Sequence, residues 1–172
     1  IAGDQITNDI AMALRTPTRE AEEIKRKYGC ALSQLADQAE SIEVAGVDDR
    51  PSRKLSRRAL ADVIQPRVEE LYELIQNELR RAGFEEVLSS GIVLTGGASV
   101  MPGMIELGEE IFHMPVRLGS PKYTGSLADV VQNPRFSTSF GLLLAAQAQR
   151  KRGQKIKEKQ NVKDVFDGMK SW

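Results

Sequence analysis

Cys30 is the only cysteine among the 172 residues, so no internal disulfide can form. That fits a reducing, cytosolic setting. Net charge is zero, with 24 basic residues against 24 acidic ones, which argues against a general nucleic-acid binder. No apolar run approaches the ~20 residues that a membrane-spanning helix needs, and there is no signal-peptide pattern. The single histidine, His113, follows Phe112 at a predicted helix end, with no second ligand to make a metal site. Both familiar glycine-rich phosphate fingerprints are missing, since neither GxxxxGK[ST] nor GxGxxG occurs. A start methionine is missing too. "IAGDQITNDIAMAL" enters a helical pattern almost at once, as a piece of a longer protein would.

What is present suffices for one good-sized domain or two small lobes sharing a core. Asp4 is placed to cap a first helix whose apolar face is Ile6, Ile10, Ala13 and Leu14. Thr16 or Thr18 then caps a second helix, with Pro17 near its start and Gly29 at its end. Residues 41–57 read as a β-hairpin: "SIEVAGV" alternates, "DDRPS" turns, and a short strand returns. Ser56 opens a long helix striped by Leu60, Ile64, Val68, Leu71, Ile75 and Leu79, with Pro66 inside it as a predicted kink. Gly83 and Phe84 close it. A short strand at 91–94, a helix from Met101 to Phe112, a strand in "MPVRLGSP", a loop with a short helix, and an apolar helix in "RFSTSFGLLLAAQAQRK" follow. This order predicts an α/β lobe, residues 1–15 plus 88–149, carrying an inserted α+β lobe, 16–87. Residues 150–161 are too polar and basic to build a core and read as a linker.

Three features carry chemistry. In "LTGGA", an apolar strand exits through Gly96 and Gly97. Adjacent glycines serve either a tight strand-to-helix turn or a backbone kept bare against a flat or anionic ligand, with a helix dipole behind it. In "EEIK", Glu22 and Lys25 share a helix face. They are either a solvated ion pair or a carboxylate for an adenine amine or ribose hydroxyls beside a lysine whose stem covers the base. Arg50, Arg53, Lys54, Arg57, Arg58 and Arg67 form a basic group, several of them at the N-terminal end of the long helix, where cations oppose the helix dipole. They read either as a solvated face or as a surface for an anionic partner. Cys30 reads as a small packed apolar residue. At the end, Val162, Val165, Phe166, Met169 and Trp172 fall on one helical face behind the basic linker, a pattern for lying in an anionic membrane surface or for docking on the chain's own domain.

Taken together, "GDQITNDIAMALRTPTREAEEIKRKYGCAL", "SRRALADVIQPRVEELYELIQNEL", "GIVLTGGASVMPGM" and "NPRFSTSFGLLLA" resemble the second half of FtsA, an actin-like bacterial cell-division family. The resemblance runs in order over residues 1–149, and "PTREAEEIK", "IQPR" and "VLTGGA" are its specific parts. It implies the actin-like ATPase (ribonuclease H-like) fold. Residues 1–15 and 88–149 would be an incomplete subdomain 2A, 16–87 subdomain 2B, 150–161 a basic linker, and 162–172 an amphipathic membrane-targeting helix. The family's phosphate-binding "DIGGGT" hairpin would lie just before Ile1, so weak ATPase activity at most is implied for the intact protein and no turnover for this piece. The implied cofactor is ATP with Mg²⁺. Gly96, Gly97, Ala98 and Met101 would line the adenosine pocket, with Glu22 and Lys25 opposite. The resemblance implies that the C-terminal tail of FtsZ, the tubulin-like division protein, meets the basic group. Arg53 and Arg67 match family positions for that contact, with Arg57 and Glu70 beside them. Self-association into filaments and a peripheral place on the cytoplasmic face of the inner membrane, at the division site, are also implied. Other actin-like scaffolds, of the MreB or pilus-assembly type, share "EEIK" and "TGGA". A sugar-kinase-type phosphotransferase would need a catalytic aspartate and a sugar lobe, neither of which is recognisable.

Overall fold

The computed structural model describes residues 3–46, 51–84, 87–88 and 90–152. The chain falls into two compact units, Ile1–Gly119 and Ser120–Trp172. The first unit holds the core. Helix α1 (Gly3–Leu14) buries Ile6, Ile10 and Leu14, so three of the four expected apolar positions face inward. Ala13 does not. It points to solvent, and Thr7 takes the inward place instead, for a reason given below. Asp4 lies within the first helical turn, not ahead of it, and there its carboxylate favours the positive end of the dipole.

Helix α2 (Thr18–Tyr28) starts without a side-chain cap. Pro17 occupies the cap position, and its fixed φ (−56°) takes the place of the expected threonine bond. Thr16 is buried, with its hydroxyl unpartnered. Strands β1 (Ser41–Val44) and β2 (Arg53–Ser56) pair antiparallel, Ser41 opposite Ser56 and Val44 opposite Arg53. Period-two alternation sends Ile42 and Val44 into the core and leaves Ser41 and Glu43 outside.

Helix α3 (Arg57–Arg81) begins as predicted: Ser56 Oγ accepts from the Ala59 amide at 3.2 Å. It runs through Pro66 without a break in the helix. Leu60, Ile64 and Val68 are buried. Beyond Val68 the inward position passes to Tyr72, while Leu74 and Ile75 emerge to solvent. The tyrosine is held because its hydroxyl donates to the Met104 carbonyl at 2.9 Å and its ring packs on Phe112, centroids 5.1 Å apart. Gly83, with φ 72°, and the Phe84 amide bonded to the Leu79 carbonyl end α3 in a Schellman turn.

Strand β3 (Ile92–Leu94), helix α4 (Met104–Phe112) and strand β4 (Val116–Leu118) form a βαβ unit with a parallel pair, Ile92 opposite Val116. Helix α4 starts later than the Met101 expected from sequence. A 3₁₀ turn, Ala98–Val100, and the sequence Met101-Pro102-Gly103 intervene. Gly103 precedes the helix in the left-handed region, φ 84°, and a Cβ there would stand 2.6 Å from the Leu32 amide nitrogen. One cluster of buried side chains from α1, α2, β1, α3, α4 and β4 joins these parts.

The second unit carries α5 (Ala128–Val131), a 3₁₀ turn at Pro134–Phe136, and helical residues 137–152. Tyr123 meets Phe140 edge-on, with centroids 5.7 Å apart. Leu142, Leu143 and Leu144 are exposed. No helix among the described residues is long and apolar enough to cross a membrane.

Candidate functional site: a glycine turn against a paired helix face

The turn after β3 is built by its own hydrogen bonds. Thr95 Oγ1 donates to the Gly119 carbonyl at 2.9 Å, and the Gly119 amide donates to the Leu94 carbonyl at 2.7 Å, which ties the ends of β3 and β4 together. Gly96 has φ 97°, a region closed to most L-residues, and a Cβ built there meets nothing within 4 Å. The backbone at Gly96 is therefore bare towards open space. Gly97 lies in the ordinary right-handed region and caps the 3₁₀ turn, whose Ser99 hydroxyl donates back to the Gly96 carbonyl at 2.7 Å. A 3₁₀ turn, and not the expected α-helix, therefore follows the glycines directly.

The α2 face is pinned to α1. Lys25 Nζ donates to Glu22 Oε2 at 2.5 Å, to Thr7 Oγ1 at 2.7 Å and to the Gly3 carbonyl at 2.9 Å. All three ammonium hydrogens are thereby used, and the side chain is 10% exposed. The Thr7 hydroxyl donates to Glu22 Oε2 at 2.5 Å. This is why a polar residue stands on the apolar face of α1. Burial pushes the Glu22 carboxyl pKa up, but the bonds from Lys25 and Thr7 and the charges of Lys25 and Arg26 outweigh it and leave the carboxyl below its ordinary value. The lysine thus orients the carboxylate, and its charge is spent inside the protein.

These two parts meet. A Cβ on Gly3 would lie 3.4 Å from Lys25 Nζ and 3.9 Å from Ala98 Cβ. A Cβ on Gly29, at the end of α2, would lie 3.3 Å from Met101 Cε. The Ala31 amide donates to the Pro102 carbonyl at 2.7 Å. Glu22, Lys25, Ala98 and Met101 therefore flank one junction, with the bare Gly96 backbone two residues from Ala98. A planar ring resting on that backbone with a donor amine towards a carboxylate suits this arrangement, so the residues fit an adenosine. Thr7 and Gly3 belong to the junction and were missed from sequence. The available signal for Thr7 was a polar residue in phase with Ile10 and Leu14.

The basic group is used differently. Arg53 Nη2 donates to the Leu14 carbonyl at 2.5 Å, setting a cation at the C-terminal end of α1, which has no basic residue in its own last turn. Arg57 donates from Nε to the Tyr28 carbonyl and from Nη1 to Glu40, both at 3.0 Å, so its charge is offset where it would oppose the α3 dipole. Arg67 donates to Asp9 of α1 and to Glu70. Arg53 and Arg67 thus both grip α1, at points about 7.5 Å apart along its axis. Lys54 and Arg58 are exposed, and Arg50 lies outside the described residues. Val63, Pro66, Asp9, Arg67 and Glu70 line an open cleft of about 210 Å³. Cys30 is fully buried, its thiol donating to the Leu32 carbonyl at 3.1 Å, and His113 closes α4 in the left-handed region. Val162, Val165, Phe166, Met169 and Trp172 lie outside the described residues.

The family described as "Cell division protein FtsA" matches residues 1–141. The chain is similar to the cell division protein FtsA of Pseudomonas aeruginosa, 62% identical over 144 residues, covering 84% of this chain and 34% of that protein. It is 49% identical over 145 residues to FtsA of Neisseria meningitidis (84% of this chain, 35% of that one) and 44% over 149 residues to FtsA of Escherichia coli K12 (83% and 36%). The chain spans about a third of the length of these relatives. Among solved structures, MreB 5 of Spiroplasma citri bound to AMPPNP superposes with a TM-score of 0.65 at 15% identity, covering 89% of this chain and 46% of that one. The ADP-bound form gives 0.58 at 18%, covering 81% and 45%. At such identities the likeness shows the fold, which is α/β and actin-like. With the glycine turn, the Glu22–Lys25 pair and the Pro66-Arg67 segment all inside the matched residues, this chain belongs to the FtsA family of cell-division proteins.

Proposed function

We propose that this chain is the adenosine-facing and partner-facing part of a division protein that binds ATP, assembles at midcell and tethers FtsZ to the cytoplasmic membrane. The observation that carries the nucleotide reading is the junction of the Glu22–Lys25–Thr7 network with Gly3, Ala98 and the bare backbone at Gly96. Gly96, Gly97, Ala98 and Met101 form the floor, and Glu22 receives the base or ribose. Mg²⁺ and the phosphates would be held by the rest of the intact protein, so ATP binds this chain with a Kd above about 1 mM. In the same reading Arg53, Arg57, Arg67 and Glu70 mark the face for the FtsZ tail, and Val162, Val165, Phe166, Met169 and Trp172 seat the C-terminal segment in anionic lipid.

Saturation-transfer NMR with millimolar ATP tests the nucleotide site. Signal is expected on the adenine and ribose protons of the parent and is lost in the Glu22→Ala/Lys25→Ala double variant. Equal signal from both proteins overturns the reading.

A further inference from the structure

Thr7 stands on the core face of α1 and is buried. A threonine hydroxyl inside a helix ordinarily donates back to the carbonyl four residues earlier, and the Gly3 carbonyl lies 3.0 Å from Thr7 Oγ1. Here that carbonyl already receives Lys25 Nζ at 2.9 Å. Glu22 Oε2 is nearer to the hydroxyl, at 2.5 Å, and it is charged, so the single hydroxyl hydrogen goes there. The Thr7 oxygen in turn accepts from Lys25 Nζ at 2.7 Å. One hydroxyl thus joins both members of the Glu22–Lys25 pair, and it comes from a different helix.

The three residues grade outwards. Thr7 is 4% exposed, the Lys25 side chain 10% and the Glu22 side chain 42%, so only the carboxylate is open to a ligand. Both of its bonds fall on Oε2, and no described residue donates to Oε1. Glu22 therefore turns one oxygen inward and keeps the other as a free acceptor. Lys25 by itself does not set this direction. Two side chains at i,i+3 on one helix swing together, and such a pair holds weakly. A third point on α1 removes that freedom. We propose that Thr7 is the positioning residue of the nucleoside contact. Its hydroxyl, fixed on α1, holds Glu22 so that Oε1 accepts an N–H or O–H of the adenosine. This rests on the reading that Glu22 receives the base or ribose. It adds that the contact is built from two helices, with its geometry set by a buried residue that no ligand touches.

The test is saturation-transfer NMR on the 172-residue chain with millimolar adenosine, joined to a carbon-13 titration of the Glu22 carboxyl. Only variants whose amide spectra match the parent's are compared, which removes a role in folding alone. Thr7→Val keeps the β-branch and the volume but deletes the hydroxyl. Its adenosine signal should fall about tenfold or more. Burial raises the Glu22 midpoint, while the bonds from Lys25 and Thr7 and the charges of Lys25 and Arg26 hold it below 4.5, so without the Thr7 bond it should rise. Thr7→Ser restores the hydroxyl, so the signal should return to within about twofold of the parent's and the midpoint to its low value. If Thr7→Val does not fold, Thr7→Ala decides, since it sets no methyl against the ammonium. A signal or a midpoint unchanged in the folded valine or alanine variant overturns the proposal, as does a loss that Thr7→Ser fails to reverse. Glu22→Ala separates the two levels. If it keeps the parent's signal, or the parent gives none, the underlying reading fails and the proposal with it. If it loses the signal while Thr7→Val keeps it, only the positioning role fails.

Discussion

Replacing Gly103 by alanine tests the contact that seats the glycine turn against the end of α2. Gly103 sits at φ 84°, ψ −6°, just ahead of α4. The left-handed region costs a non-glycine residue roughly 1–2 kcal/mol. In addition, the new Cβ would stand 2.6 Å from the Leu32 nitrogen and 2.9 Å from its Cβ. Backbone cannot yield there without stretching the 2.7 Å bond between the Ala31 amide and the Pro102 carbonyl. Forced displacement of this kind costs about 1–3 kcal/mol. Against these stands the stiffer unfolded chain, which returns about 0.4–1 kcal/mol. The net loss should be about 1–4.6 kcal/mol, set against a domain stability of about 5–15 kcal/mol. Gly96 supplies the control. Its φ is 97°, yet a Cβ there meets nothing within 4 Å. Gly96→Ala should therefore lose at most about 1.6 kcal/mol, because only the conformational and unfolded-state contributions are shared. Urea unfolding followed by circular dichroism measures both, provided the m-values agree. Equal midpoint shifts for the two variants would refute the overlap argument.

The Tyr72→Phe variant should lose about 0.5–1.5 kcal/mol in the same assay, because it removes the buried bond that the hydroxyl donates to the Met104 carbonyl; a loss below about 0.3 kcal/mol would mean that this bond adds nothing to stability. Because the Glu22 carboxyl sits below its ordinary value of 4.5, its contribution is fully present above pH 4.5 and is lost as pH falls through the lower folded value. The difference in thermal stability between the parent and Glu22→Gln should therefore be constant from pH 7 to about pH 5 and shrink below that, and a gap that does not shrink by pH 3 would refute it. Phe166→Asp should abolish co-sedimentation with anionic vesicles, since a charge would stand on the face that must be buried. Retained sedimentation would assign membrane binding to the basic linker alone.

Local signals were enough for much of this molecule. The serine cap at Ser56, the alternation of Ile42 and Val44, and the left-handed glycine after α3 each depend on neighbours within a few residues, so they could be read without a fold. The glycine turn and the Glu22–Lys25 pair were legible for the same reason, and their family was legible because several such segments occur in one order. What the pair is for was not. Whether an i,i+3 lysine faces solvent or is spent on a threonine of another helix depends on where α1 lies, and only the packed core places α1. Thr7 and Ala13 exchanged their expected places for that reason. Asp9 left no trace in the sequence, since a carboxylate on a helix flank looks the same whether or not an arginine 58 residues away closes on it. Charge and periodicity are properties of short segments, whereas a bidentate ion pair needs two helices packed so that side-chain atoms of each meet at about 3 Å. Burial of Ile6, Ile10, Ile64 and Val68 between α1 and α3 supplies that approach.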